Sequence, residues 1–325
     1  MTTPHTISMS PAALRRRLRD AVLEGLDSTP RTTPATLFYD ARGAALFEQI
    51  CELPEYYPTR TEHEILTRHA RDLAACIGPQ AAIIELGAGA AIKVRYLLEA
   101  LEAPAAYVPV DVAGPQLQRV AAERSAEFPD LDVLPVVADY ADGVPLPTLP
   151  DDARRVAFFP GSTIGNLHHD EAVAFLRDLA ELVGPDGGLV LGVDRRKDPR
   201  VLHAAYNDAA GVTAEFNLNV LTRLNAEFHG TFRREAFRHV AFFNDAESRI
   251  EMHLEAITPQ HVRVEHLEVD LAAGETIRTE VSYKYDRRRL DTLATESGWR
   301  VVERFADSRD WFWVCWLVPE SAAAR

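Results

Sequence analysis

Cysteine is scarce in this chain: three among 325 residues, Cys51, Cys76 and Cys315, widely separated and without C-x-x-C spacing. That excludes a disulfide framework and a cysteine zinc site, and makes a reducing cytoplasm the expected setting. Long apolar runs are missing too. None approaches the roughly 18 residues of a membrane span. Residues 1–20 hold no apolar stretch after their charges, so neither a spanning helix nor a secretory signal is expected. Basic charge is in deficit, with 35 Lys and Arg against 49 Asp and Glu and a net charge of −14, which repels a polyanion. The trios Arg15-Arg16-Arg17, Arg195-Arg196-Lys197 and Arg287-Arg288-Arg289 read as solvated helix faces or loops, and no nucleic-acid partner is expected. The eleven histidines are scattered. The pair His168-His169 has no cysteine nearby, and neither H-x-x-x-H nor H-E-x-x-H occurs, so no metal site is expected.

What is present is 47% apolar content, ample for a packed core in one large or two modest domains. The chemistry starts in the stretch Ala-Ala-Ile-Ile-Glu-Leu-Gly-Ala-Gly-Ala-Ala-Ile-Lys, residues 81–93. Its apolar run, 82–86, is bounded by glycine and too short for a helix, which predicts a buried parallel strand. Gly87 and Gly89 then allow a tight turn and close approach of the backbone to a ligand. Residues 92–101 set Leu97, Leu98 and Leu101 on one face and predict a helix lying on a sheet. Strand, glycine turn and helix form the first unit of a nucleotide-binding half. Ile92 stands where G-x-G-x-x-G needs its third small residue, which speaks against a pyrophosphate ligand. Asp111 closes the next apolar run, 107–110, where a carboxylate can accept hydrogen bonds from ribose hydroxyls.

An amphipathic helix is expected over 11–28, with Leu14, Leu18, Val22 and Leu23 on its packed side, and another over 44–51. In Leu53-Pro54-Glu55-Tyr56-Tyr57-Pro58-Thr59-Arg60-Thr61-Glu62 two prolines flank paired tyrosines. The expectation is a non-helical loop forming an aromatic wall of a substrate pocket. From 62 to 198 strands and helices alternate, with strands at 133–137, 156–159 and 189–193 and helices at 115–127 and 171–183. Such units imply a parallel sheet with helices on both faces, and ligands bind beyond the carboxyl ends of its strands. Gly87, Asp111, Asp139, Tyr140 and the segment after Phe159 are therefore expected in one crevice. That segment, Gly161-Ser162-Thr163-Ile164-Gly165-Asn166-Leu167, offers Ser162, Thr163 and Asn166 as uncharged polar groups. Asn166 can donate and accept, yet it cannot protonate an amine.

The alternation breaks after Asp198. A helix at 214–224 and β-like runs at 239–243, 249–256, 262–271 and 276–283 read as a smaller α+β domain inserted into the first. A helix over 287–297 and strands at 300–305 and 311–318 return to the sheet. The expected division is a cofactor domain of 62–198 and 286–325, and a smaller substrate-binding domain of 10–61 and 199–285. The Ala-rich tail after Glu320 is expected to fray.

Glu85-Leu86-Gly87-x-Gly89 resembles the first motif of class I S-adenosylmethionine-dependent methyltransferases, whose cofactor has no phosphate to cradle. Over nearly its whole length the chain resembles the histidine-specific Nα-methyltransferases of ergothioneine biosynthesis. The resemblance is carried by Phe38-Tyr39-Asp40-Ala41-Arg42-Gly43, the Leu53 to Glu62 stretch, the glycine turn with Lys93, Gly161 to Leu167, Arg249-Ile250-Glu251-Met252 and Thr279-Glu280-Val281-Ser282-Tyr283-Lys284-Tyr285. It implies an α/β fold, a class I methyltransferase (Rossmann-like) sheet with an inserted smaller α+β substrate domain.

The resemblance also implies transfer of a methyl group from S-adenosylmethionine to the α-amine of free L-histidine, three times over, giving the betaine hercynine. By motif position, Tyr56 and Tyr206 are implied to hold the substrate carboxylate, and Asn166 and Tyr39 to act at the α-amine. Glu280 and Ser282 are implied to grip the imidazole with Met252 packed beside it, and Gly87, Gly89, Lys93, Asp111, Asp139 and Tyr140 to form the cofactor site. Elementary chemistry agrees. An imidazole titrates near pH 6.5 and offers one N–H to Glu280, and Ser282 can serve the second nitrogen in either protonation state. Ala90-Ala91-Ile92 departs from the hydroxyl residues expected in many relatives, which implies fewer hydrogen bonds to the cofactor. The residues by themselves leave open a methyltransferase for another amino acid or small amine, an NAD-dependent oxidoreductase in the same crevice, and a non-catalytic cofactor sensor. The expected partner is a small-molecule substrate, with no membrane and no obligate protein partner.

Overall fold

The computed structural model describes residues 11–140 and 143–320. The first ten residues and the tail expected to fray lie outside the described residues. In chain order the elements are α1 (Pro11–Asp27), α2 (Ala41–Glu52), α3 (Tyr57–Ile77), β1 (Ala81–Leu86), α4 (Val94–Ala100), β2 (Ala106–Asp111) and α5 (Gly114–Glu127). Then come β3 (Asp132–Val133), β4 (Val136–Val137), β5 (Arg154–Phe159), α6 (His169–Val183), β6 (Gly188–Asp194), α7 (Pro199–Tyr206) and α8 (Val212–Glu227). The chain continues with β7 (Phe237–Asn244), β8 (Arg249–Ala256), β9 (Gln260–Val264), β10 (Leu267–Leu271), β11 (Thr276–Tyr283), α9 (Arg287–Glu296), β12 (Trp299–Ala306) and β13 (Phe312–Pro319). These elements form two compact units. One is Thr61–Arg195 with the described residues of Tyr285–Arg325, and the other is Pro11–Arg60 with Arg196–Lys284.

The first unit is built on one sheet of order β12-β13-β6-β5-β1-β2-β3, with β4 also paired to β2. β1 runs parallel to β2 and β5, and β5 parallel to β6, while β13 is antiparallel to β6 and β12. Every residue of β1 is buried. This strand reads as a continuous apolar run because helices cover both of its faces. Ile65, Leu66, Leu73 and Ile77 of α3 join Ile83, Tyr107, Val156 and Trp316 in its core. From β1 the chain winds out to β2 and β3, then crosses back to β5 on the other side of β1. The β1/β5 boundary is therefore the switch point where such sheets bind ligands.

The second unit holds a three-stranded antiparallel sheet, β11-β8-β7, and the hairpin β9-β10. α8 packs on β7 and β8 and α2 on α8, and Phe38, just before α2, stacks on Phe216 of α8 at 4.5 Å between ring centroids.

Three expectations need correction. The Leu53 to Glu62 stretch is not a loop throughout, because α3 starts at Tyr57 and includes Pro58. Proline is tolerated in a first helical turn, where the amide it lacks would have had no intrahelical acceptor. The single strand at 133–137 is two short strands, since Pro135 has no amide to donate and interrupts the ladder between Val133 and Val136. The run at 262–271 is a hairpin that turns at Glu265, which adopts a left-handed φ of 52°. One helix, α7, was not anticipated; Asp198 caps it by accepting from Arg200 N at 2.9 Å, with Pro199 beginning the helix.

Candidate active site

In the first unit the glycine turn is held by its neighbours. Gly87 N and Ala88 N both donate to Val110 O, at 2.9 and 3.1 Å, and Gly87, Gly89 and Ala91 all take positive φ, at 66°, 52° and 48°. Ala91, a non-glycine residue in that region, is anchored by its N–H to Ala88 O at 2.7 Å. A side chain at Gly87 would meet the Tyr140 ring at 3.4 Å, an ordinary contact, so it is the left-handed φ that calls for glycine here. Asp111, at the end of β2, accepts from Gly89 N at 3.0 Å and from Ala113 N at 2.9 Å. Two backbone amides fix the carboxylate and leave lone pairs for further donors. Tyr140 packs edge-on to Phe159 with centroids 5.5 Å apart and lies 5.7 Å from Phe175, and burial pushes its hydroxyl well above the usual range, the neighbouring Asp139 adding to the effect. Beneath the turn, Glu85 accepts from the Tyr107 hydroxyl, and burial raises its carboxyl to about 8 against the opposing pull of that bond and of Lys93.

Lys93 Nζ lies 2.5 Å from Glu62 Oε2, and Glu62 also accepts from Gly161 N. Of the three polar side chains after β5, one ties the loop to β6 and one serves the loop itself. Ser162, left-handed at φ 58°, is buried and its Oγ accepts from Asp194 N at 2.8 Å; the Thr163 hydroxyl donates to Pro160 O at 3.0 Å. Asn166 ends the short 3-10 turn Thr163–Asn166 and is half-buried.

In the second unit a narrow cavity is walled by Phe47, Tyr56, Tyr206, Phe216, Met252 and Glu280, among others. Met252 and Glu280 are direct cross-strand partners on β8 and β11, which is why both reach the same wall. Tyr56 and Tyr206 meet edge to face at 6.3 Å, and burial together with Tyr206 drives the Tyr56 hydroxyl well above its ordinary range. Tyr39 is 49% exposed, with its ring edge-on to Phe47 and Phe216 at 5.9 and 6.2 Å. Burial raises the Glu280 carboxyl to about 7, with Lys284 opposing the rise. Ser282, two residues after Glu280 on β11, is buried. Its Oγ accepts from the Tyr206 hydroxyl at 3.0 Å and from Lys284 Nζ at 2.8 Å, and Lys284 also donates to the Tyr206 oxygen at 3.2 Å. His239 donates from Nε2 to Tyr206 O at 2.9 Å and accepts at Nδ1 from Asn217, so a neutral imidazole caps the carboxyl end of α7 and fixes the backbone of Tyr206.

A family model described as histidine-specific methyltransferase, SAM-dependent, matches residues 18–319. The chain belongs to this family. It is 43% identical to the histidine N-alpha-methyltransferase of Mycolicibacterium smegmatis over 91% of each chain. It is 42% identical to the protein of the same name from Mycobacterium tuberculosis, over 89% of this chain and 91% of that one. Ergothioneine biosynthesis protein 1 of Neurospora crassa is 32% identical over 85% of this chain, which spans 32% of that longer protein.

The crevice of this histidine-specific methyltransferase suits its S-adenosylmethionine cofactor. The turn has no Cβ at Gly87 or Gly89, presents the apolar Ala90-Ala91-Ile92 rather than phosphate ligands, and sets a fixed carboxylate at Asp111 where ribose hydroxyls can donate. Gly87, Gly89, Lys93, Asp111, Asp139, Tyr140 and Asn166 all belong to the first unit, and Tyr39, Tyr56, Tyr206, Met252, Glu280 and Ser282 to the second. Sequence reasoning missed Lys284, although Glu280, Ser282 and Lys284 follow the period of two that puts alternate residues on one face of a strand. It also gave no role to Glu62, Phe47 or Phe216. A roomier groove beside Asp291, Trp299 and Arg304 lies at the β12 edge, far along the sheet from β1. Arg304 and Asp291 are paired there, and the groove holds none of the cofactor-site residues.

Proposed function

We propose that this protein transfers methyl groups from S-adenosylmethionine to the α-amine of free L-histidine, three in succession, to give hercynine. The observation that carries this reading is the Glu280 carboxyl on the wall of an aromatic cavity: among the described residues no group donates a hydrogen bond to it, and burial holds it at about 7. A group so poised is completed by a ligand that brings a donor, and an imidazole N–H is one. Ser282, whose oxygen already accepts from Tyr206 and Lys284, keeps its hydroxyl hydrogen for the other, unprotonated ring nitrogen. Met252 supplies an apolar surface for the ring. Tyr56 presents a hydroxyl that burial keeps protonated, suited to donate to a carboxylate, with Tyr206 beside it on the same wall, and Asn166 with Tyr39 act at the amine.

The sulfonium is already a good leaving group, so the protein need supply little acid–base chemistry. In each turn the nitrogen lone pair forms the N–CH3 bond while the CH3–S bond breaks and its electrons return to sulfur. Before each turn the ammonium gives up a proton. The main contribution expected of the chain is alignment of nitrogen, methyl carbon and sulfur, where orientation is worth roughly 7–11 kcal/mol. Asn166 suits the amine because it can hold an N–H without delivering a proton to the lone pair. On the cysteine argument above, we place the enzyme in the cytoplasm.

Incubation of the purified protein with S-adenosylmethionine and L-histidine should yield mono-, di- and trimethylated histidine in the mass spectrum. Absence of all three overturns the proposal. A competition panel in which another amino acid is methylated in preference to histidine overturns its choice of substrate.

A further inference from the structure

Glu62 closes the Pro-Thr-Arg-Thr-Glu segment, and no step described above uses it. It is 1% exposed, yet its carboxylate is richly engaged: Gly161 N donates to both oxygens, at 2.9 and 3.0 Å, and Lys93 Nζ stands 2.5 Å from Oε2. One side chain thus ties α3, the exit of the glycine turn and the loop after β5. β6 makes room for it, because a Cβ on Gly192 would sit 2.3 Å from Glu62 Oε1. A buried carboxylate is tolerated only when paired and hydrogen-bonded, and here both conditions are met by groups at the switch point of the sheet.

Topology says which end of the cofactor comes here. Asp111 takes the ribose at the end of β2, and Asp139 and Tyr140 follow β4, which pairs with β2 on the side away from β1. The amino-acid arm must then run the opposite way, over the end of β1 towards β5. That arm ends in a carboxylate. The cation at the β1/β5 boundary is Lys93, whose side chain is 23% exposed and whose ammonium has three donors, one of them directed at Glu62.

We propose that Glu62 is a positioning residue for the amino-acid arm of the cofactor: it holds the Lys93 ammonium and the Gly161 loop so that Lys93 meets the carboxylate of that arm. This rests on the cofactor site assigned above and is independent of which amine is methylated. A charge-assisted hydrogen bond held in place in this way is worth about 10- to 100-fold in affinity.

Two ligands separate positioning from scaffolding. S-adenosylhomocysteine carries the arm, whereas 5′-methylthioadenosine has the same nucleoside and sulfur without it. In calorimetric titrations Glu62→Gln should lose tenfold or more for S-adenosylhomocysteine while its affinity for 5′-methylthioadenosine stays within twofold of wild type. Equal losses for both ligands, or no loss for either, overturn the inference. Should Glu62→Gln fail to fold, Lys93→Met decides by the same pair of titrations, with the same split expected and the same outcomes overturning it. A wild-type protein that binds neither ligand overturns the cofactor site itself, and the inference with it.

Discussion

Glu280 shows how one side chain can serve function at the expense of stability. Its carboxyl titrates near 7 in the folded protein against 4.5 for the ordinary group, because burial outweighs the attraction of Lys284. Between those two values the unfolded chain has lost its proton and the folded one has kept it, so stability falls as pH rises through that window. Glu280→Gln removes the effect. At pH 8 the variant should be more stable than wild type by about 1–3 kcal/mol in urea titrations, and the gain should vanish near pH 4. Its KM for histidine should meanwhile rise about tenfold or more, the imidazole N–H having lost a charged acceptor. Lys284→Met tests the opposing charge. Without the ammonium the Glu280 carboxyl moves higher still, so the pH at which histidine binding strengthens should shift upward in a profile of KM against pH. Tyr206 and Ser282 lose a donor at 3.2 and 2.8 Å, and a fall in kcat/KM of about tenfold is expected. The carboxyl shift could not be read from the sequence, since it depends on what surrounds the group. The alternation Glu280, Ser282, Lys284 was legible, and only Lys284 went unread, because an ammonium on a buried face runs against the usual preference for exposed lysine.

Strands and helices with a strong period were the legible elements, and each misread segment has a local physical cause. Pro58 was taken as a helix breaker although proline fits a first helical turn, Pro135 split a strand by withholding one amide, and Glu265 turned a hairpin without glycine by adopting φ 52°. The fit between β6 and α3 was invisible from either segment alone. Gly192 sits inside the buried strand β6, where a glycine ordinarily weakens packing, and its reason is the Glu62 carboxylate. Gly192→Ala places a methyl 2.3 Å from Glu62 Oε1 and 3.2 Å from Gly161 N. The strand cannot yield without disturbing its pairing to β5 and β13, so the carboxylate must move. A loss of about 1–3 kcal/mol in urea unfolding is expected from the overpacking, accompanied by weaker S-adenosylhomocysteine binding in calorimetry. Unchanged binding in a destabilised variant would separate the strand's packing from the cofactor site.

For the molecule as a whole, the parallel sheet with helices on its faces followed from repeated strand–helix units; its strand order did not, and the reversal between β1 and β5 that this order contains is what leaves a crevice at the carboxyl ends. The cavity in the second unit was not legible in that way. It is walled by residues from α2, the turn before α3, α7, α8, β8 and β11, and no single period spans them. Only motif resemblance named its polar members. The two kinds of site make different demands on stability, which ligand-linked unfolding can read. S-adenosylhomocysteine at a hundred times its Kd should raise the unfolding free energy by about 2.7 kcal/mol if it binds the folded chain alone. Asp111→Asn should lose most of that gain at the same ligand concentration. The neutral amide keeps one acceptor where the carboxylate offered oxygens to Gly89 N, to Ala113 N and to the ribose together. Because the ligand acts on the folded state, the urea midpoint should move with the slope unchanged; a changed slope would mean that binding alters how much surface unfolding exposes, and that the turn is ordered by the cofactor rather than built beforehand.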